Sequence, residues 1–117
     1  MPWTVLIVDD HQGFRDGARA LLEAEGFQVL GEAADGESAI EQARRLRPDI
    51  VLLDVQLPGR DGFAVADEVT AGPSAPAVVL VSSRGRHAYR AKLATTRARG
   101  FFTKEEFSGA CLISLLR

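Results

Sequence analysis

Ile50-Val51-Leu52-Leu53-Asp54 is a run of four branched apolar residues with no polar alternation, closed by a carboxylate. A strand that is apolar at every position has both faces buried, as in parallel sheets covered by helices. Val5-Leu6-Ile7-Val8 has the same form and is closed by Asp9 and Asp10. Two later runs also end on polar residues: Val78-Val79-Leu80-Val81 on Ser82, and Phe101-Phe102-Thr103 on Lys104. The strands of a parallel sheet all end at one edge, where open α/β sheets bind their ligands. Four strand ends therefore gather three carboxylates, a hydroxyl and an ammonium group.

Between these runs the apolar period becomes helical, so strands and helices alternate along the chain. The first strand is predicted over about Trp3–Val8. A helix over about Gln12–Glu25 has Phe14, Ala18, Leu21 and Leu22 on one face and stops at Gly26. Phe27–Ala33 reads as strand two, and Glu37–Leu46 as a helix halted before Pro48. Strand three is Ile50–Leu53, and helix three runs over about Gly62–Ala71 to Gly72-Pro73. Strand four is Ala77–Val81. A fourth helix within Arg86–Thr96 has only a faint stripe of Ala91, Leu93 and Ala94. Gly100–Thr103 is strand five. The last helix, from about Glu106, carries Phe107, Ala110, Cys111, Leu112, Ile113, Leu115 and Leu116. That is more than one apolar stripe, so this helix is expected to cover something beyond its own sheet. Five β/α units without repeats or an internal linker make one α/β domain.

The 117 residues fall in the single-domain range. No apolar stretch approaches the ~18 residues that span a bilayer, and Met1-Pro2-Trp3 leads directly into a strand. The expected location is the cytoplasm, with no membrane partner. A single cysteine, Cys111, excludes a disulfide framework or cysteine zinc site within the chain. Residues 1–68 hold 14 acids and 6 bases, residues 69–117 only 2 acids and 8 bases, and no acid occurs from Val69 to Lys104. That basic stretch reads either as a solvated helix face or as a surface for an acidic partner. It is too short and too poor in aromatics for a nucleic-acid surface.

Magnesium takes about six hard oxygen ligands and keeps several as water. Asp10, Asp54 and a backbone carbonyl just after Asp54 would suffice, with Asp9 holding a coordinated water. Carboxylates brought together repel and raise a pKa, and a divalent cation relieves this. Asp54 is also a candidate nucleophile, since an aspartate can take a phosphoryl group as an acyl phosphate. Lys104 would stabilise a transferring oxygen from the opposite side, and Ser82 would donate to the attached group. Singly, each residue has a plainer reading: Asp9-Asp10 as a helix cap, Asp54 and Ser82-Ser83 as turn residues, Lys104 as a surface ion pair with Glu105-Glu106. Their convergence on one sheet edge favours the chemical reading. His11 and His87 have no partners by spacing and receive no ligand role.

Taken together, Val5 to His11, Asp49 to Gly62, Val78 to Ser83 and Gly100 to Lys104 resemble the receiver domain of two-component response regulators, over nearly the whole chain. The resemblance implies a flavodoxin-like five-stranded parallel sheet in the order 2-1-3-4-5. It implies Asp54 as phosphoacceptor, and Asp9, Asp10, Asp54 and the Gln56 carbonyl as the Mg2+ site. Ser82 becomes the switch hydroxyl and Lys104 the lysine partner of the phosphoryl group. Phe101 becomes an aromatic that turns inward on phosphorylation. Glu105 stands where many receivers have proline, and Ser83 where a smaller residue is usual. Arg84 and Gln56 occupy positions that vary and tune phosphoryl lifetime.

The stretch from Gly100 to Ala110 looks most like receivers joined to helix-turn-helix domains. The implied partners are a sensor histidine kinase, DNA only through an output domain absent from this chain, and a second copy through the first and last helices. Two other readings remain: an interaction module independent of phosphorylation, and a magnesium-dependent phosphohydrolase. The hydrolase would need a further acid to activate water and a cap over its substrate.

Overall fold

The structure is a computed structural model that describes residues 2–116. Its elements are β1 Thr4–Val8, α1 Gln12–Ala24, β2 Gln28–Ala33, α2 Gly36–Leu46, β3 Ile50–Asp54, α3 Gly62–Val69 and β4 Ala77–Ser82. A 3-10 turn, Arg86–Tyr89, then runs into α4 Arg90–Leu93, followed by β5 Gly100–Thr103 and α5 Gly109–Leu116. The five strands are all parallel, in the order β2-β1-β3-β4-β5. The sheet is therefore the predicted doubly wound one.

The apolar runs serve two cores at once. Leu6, Val8, Val51, Leu53, Val78 and Leu80 face one side, with Ala39 and Ile40 of α2 and Phe63, Val65 and Ala66 of α3. Val5, Ile7, Ile50, Leu52, Val79 and Val81 face the other, against Ala18 and Leu22 of α1 and Leu112 of α5. Each fully buried Val, Leu or Ile contributes about 1.5–3 kcal/mol by leaving water. A polar residue at any of these positions would open one core or the other, so polar residues first appear at the strand ends.

After β1 the chain crosses to β2 on one side, and after β2 it returns to β3 on the other. The loops leaving β1 and β3 thus diverge, and the crevice between them is the switch point of the sheet. Beyond β3 the chain makes a small antiparallel ribbon, Gln56–Leu57 against Arg60–Asp61. Pro58-Gly59 closes it, with Gly59 at φ +71° as the second central residue of such a turn requires. Asp61 then caps α3 by accepting from the Phe63 N–H.

Two helices differ from their predicted limits. Within Arg86–Thr96 only four residues form an α-helix, preceded by the 3-10 turn. Arg86 and Arg90 would be neighbours one helical turn apart, where like charges repel, and the stretch has no acid to offset them. The last helix begins at Gly109, not Glu106. Thr103 and Glu106 exchange bonds first, Thr103 N–H to Glu106 Oε1 at 2.9 Å and Glu106 N–H to Thr103 Oγ1 at 3.3 Å, closing a separate turn. Ser108 Oγ accepts from the Cys111 N–H and starts the helix. Within α5, Leu112 is buried, and Ile113, Leu115 and Leu116 pack against the core on the α1 side. The breadth of its apolar surface is thus largely accounted for inside the domain. Trp3 is the exposed large apolar side chain among the described residues.

Candidate functional site

Asp9 follows β1, Asp54 ends β3, Ser82 ends β4 and Lys104 follows β5, so all four sit on one edge of the sheet. Asp9 and Ser82 are fully buried and Asp54 is 3 % exposed. Lys104 Nζ lies 2.6 Å from Asp9 Oδ2 and 3.6 Å from Asp54 Oδ2. Its stem reaches inward past Phe14, whose ring centroid is 4.6 Å from the ammonium. Among the described residues the ammonium pairs with Asp9 and Asp54 and forms no ion pair with Glu105 or Glu106, so it is no surface pair.

The loop after β1 is held by its own polar groups. Asp9 Oδ1 accepts the His11 N–H at 2.8 Å, and the Arg15 guanidinium donates to the Asp9 carbonyl at 2.7 Å. Arg15 is in turn paired with Glu32 on β2 at 3.0 Å. His11, given no partner from spacing, has its Nδ1 3.1 Å from both Asp9 Oδ1 and Asp10 Oδ1. That expectation is corrected: an i,i+2 histidine folds back onto the acids because the loop turns sharply into α1.

Oxygens of Asp9, Asp10 and Asp54 and the His11 Nδ1 all lie within 4.8 Å of one another. The largest ligand separation across an octahedral magnesium shell is about 4.2 Å. Asp9 Oδ2 is buried and makes no aligned hydrogen bond, facing only the Lys104 ammonium. Asp9 and Asp54 are buried and Asp10 is exposed at the mouth, so three carboxylates stand against one lysine. Hard oxygen donors, a dense cluster and an unsatisfied buried oxygen fit a divalent cation of the magnesium kind.

Asp54 registers the crowding. Burial, then the Asp9 carboxylate, push its pKa from 3.8 to about 6, against the opposing pull of the Gln56 N–H and of Lys104. The Gln56 N–H donates to Asp54 Oδ1 at 3.2 Å, so the ribbon folds directly over the carboxylate. Gly62 makes this possible. A methyl group there would press on the Asp54 carbonyl oxygen and lie 2.7 Å from Val55 Cα, both unyielding backbone. The Gln56 backbone lies in the same loop, two residues past Asp54.

Ser82 has a partner that sequence reading missed. Its Oγ accepts the Arg84 N–H at 3.0 Å and meets the Tyr89 hydroxyl at 3.0 Å. Tyr89 sits between Phe63 and Phe101, with centroids 5.7 and 5.9 Å away. Phe101 is 1 % exposed, and its carbonyl accepts from Arg86, whose guanidinium lies 5.4 Å from the ring. The phenyl ring is thus buried against Tyr89 beside the Ser82 end of the sheet. Arg84 and Ser83 are exposed beside the site.

Residues 5–116 match the model of the response regulator receiver domain. The transcriptional regulatory protein PdtaR of Mycobacterium tuberculosis is 40% identical over 82 residues, which are 70% of this chain and 40% of that protein. A protein-glutamate methylesterase/protein-glutamine glutaminase of Anaeromyxobacter dehalogenans is 42% identical over 106 residues, 90% of this chain and 30% of that protein. Among solved structures, the signal receiver domain of the response regulator NarL from Mycobacterium tuberculosis superposes with a TM-score of 0.86 at 33% identity, covering 98% of this chain and 97% of that one. The chain spans less than half the length of these two longer relatives.

Proposed function

Because the chain belongs to the receiver domain family of response regulators, we propose that Asp54 accepts a phosphoryl group and that the modification switches the sheet edge bearing Ser82. The observation that carries this reading is the setting of Asp54: buried, with the Lys104 ammonium 3.6 Å away and the other acids of the cluster beside it. Above pH 6 its carboxylate is ionised and can attack phosphorus in line with the leaving group. The new bond joins an Asp54 oxygen to phosphorus, and the bond to the donor breaks with its electron pair leaving on the donor. Lys104 offsets charge on one transferring oxygen, and Ser82 donates to another once it turns from Tyr89. Asp9, Asp10, Asp54 and the Gln56 carbonyl would hold Mg2+, which when bound supplies positive charge against the same oxygens.

The donor we assign is a phosphohistidine on a sensor kinase. The domain is a signalling module, and the reaction it assists is on its own Asp54. Residues 1–117 form the receiver, with control of transcription exerted through an output domain outside this chain. PdtaR, by name a transcriptional regulator, supports that output, while the methylesterase relative shows that other outputs exist in the family. No helix among the described residues is long and apolar enough to cross a membrane.

Asp54→Ala provides the test. Incubation with magnesium and acetyl phosphate should add one phosphoryl group to the wild type, labile to hydroxylamine, and none to the variant. An intact fold that takes no adduct from any donor would leave a phosphorylation-independent interaction module.

A homodimer through α1 and α5 is a second element of the proposal, since Phe14 and Phe107 meet at 6.3 Å and Ile113 and Leu116 remain partly exposed on that side. Sedimentation over a range of concentrations, with and without beryllofluoride, should show dimer mass appearing. A monomer mass throughout would remove this contact.

A further inference from the structure

Ser82 is fully buried, and the Arg84 N–H and the Tyr89 hydroxyl are its side-chain partners among the described residues. A serine hydroxyl has one proton to give and two lone pairs to receive with. Arg84 occupies a lone pair, since its backbone N–H can only donate. The second lone pair and the proton of Ser82 are left for the Tyr89 hydroxyl, and either oxygen can be the donor across the 3.0 Å between them. Tyr89 is the one tyrosine in the chain. Its ring is wedged between Phe63 and Phe101, so packing aims the hydroxyl at Ser82. The aromatic residues of β5 are Phe101 and Phe102, neither of which has a hydroxyl. The phenol within reach of Ser82 therefore comes from the turn after β4, next to the basic stretch.

Resting on the reading of Asp54 as the acceptor, we infer that Tyr89 is a positioning residue that restrains Ser82 in the unmodified protein. Its hydroxyl holds that of Ser82 by their shared hydrogen bond while Asp54 is free. Once Asp54 carries a phosphoryl group, Ser82 turns and gives its proton to a phosphoryl oxygen. The anionic oxygen wins because a hydrogen bond to a charged acceptor is about twice as strong as one between neutral hydroxyls. Tyr89 then loses its hydroxyl partner at the sheet edge, and the Arg86–Tyr89 turn loses one of its ties. Arg86, Arg90 and Lys92 lie on or directly beyond this turn. The exchange of one hydrogen-bond partner would thus move a wholly basic segment.

Tyr89→Phe keeps the ring and removes only the oxygen. It removes the hydroxyl partner of Ser82 in the resting state and takes nothing from the modified state. Loss of one neutral hydrogen bond shifts an equilibrium by about fivefold. Beryllofluoride, which mimics the phosphoryl group on aspartate, should accordingly bind Tyr89→Phe about fivefold more tightly than wild type in saturating magnesium.

A second readout uses 3-fluorotyrosine, which labels Tyr89 alone and gives one fluorine resonance. That resonance should shift when beryllofluoride saturates the wild type. In Ser82→Ala it should start from a displaced position and respond little. Beryllofluoride binding with no movement of the tyrosine resonance, or an affinity of Tyr89→Phe equal to or weaker than wild type, would overturn the inference while leaving Asp54 as acceptor. Failure of the wild type to bind beryllofluoride or to form an acyl phosphate would remove both.

Discussion

Lys104→Met should slow phosphorylation of Asp54 from a small phosphodonor by at least about a hundredfold, the usual effect of removing one fixed positive donor from a transferring oxygen. The lysine has a second role that methionine also cannot fill. It lies 2.6 Å from Asp9 Oδ2, a fully buried oxygen with no aligned hydrogen bond. Breaking a buried pair from one side costs about 3–5 kcal/mol, because the remaining charge stays dry and unpaired. The lysine side chain is 20% exposed, so water offsets part of this and about 3 kcal/mol is expected without metal. Magnesium should recover most of that loss in stability but little of the rate. Urea unfolding in chelator and in magnesium, beside single-turnover mass measurements, separates the two roles. A variant phosphorylated as fast as wild type would mean that Lys104 has no part in the transfer.

Asp54→Asn, in contrast, should be more stable than wild type when metal is chelated. Folding raises the pKa of Asp54 from 3.8 to about 6, chiefly by burial and the Asp9 carboxylate. Between those values the folded chain holds a proton that the unfolded chain has released. Wild-type stability therefore falls as pH rises through the window from about 4 to about 6, and stays lower above it. A shift of about two units corresponds to about 3 kcal/mol, so the variant should lead by about that much at pH 8. The lead should fall below about 1 kcal/mol near pH 4 and vanish near pH 3, where the aspartate is protonated in both the folded and unfolded chain, and it should shrink in millimolar magnesium. Thermal or urea midpoints across this range check it. An Asp54→Asn variant no more stable than wild type at pH 8 in chelator would refute the charge-crowding account.

The fold and the acid, hydroxyl and lysine positions were legible because strand ends obey a simple constraint. Side chains within β1, β3 and β4 must be apolar on both faces, so the first polar residue marks the edge. Helix limits were less legible. The faint stripe at Ala91, Leu93 and Ala94 matches a helix of a single turn, and the repulsion of Arg86 and Arg90 is felt only once they share a face. At the last helix, Thr103 and Glu106 form a turn of their own that looks like a helix start in sequence. Tyr89 lies in the same weak stretch, seven residues beyond Ser82. Its role depends on a tertiary stack with Phe63 and Phe101, which no local pattern encodes. His11 escapes sequence reading for a similar reason: its partners are its neighbours, brought together by a turn and not by helical or strand spacing.

From Ser83 to Arg99 no residue is fully buried, and only Tyr89, Leu93, Thr96 and Ala98 are even half-buried. Opening that segment exposes little apolar surface, so its amide hydrogens should exchange through small local excursions while β1, β3 and β4 exchange only on global unfolding. The most easily melted part of the molecule is therefore the part next to the Ser82 hydroxyl. Any macromolecule that grips it must also order it, and ordering costs about 1–2 kcal/mol per residue. Affinity for such a partner depends on how nearly the segment is ordered beforehand. The sheet remains a rigid frame for the carboxylates, and plasticity is confined to one flank.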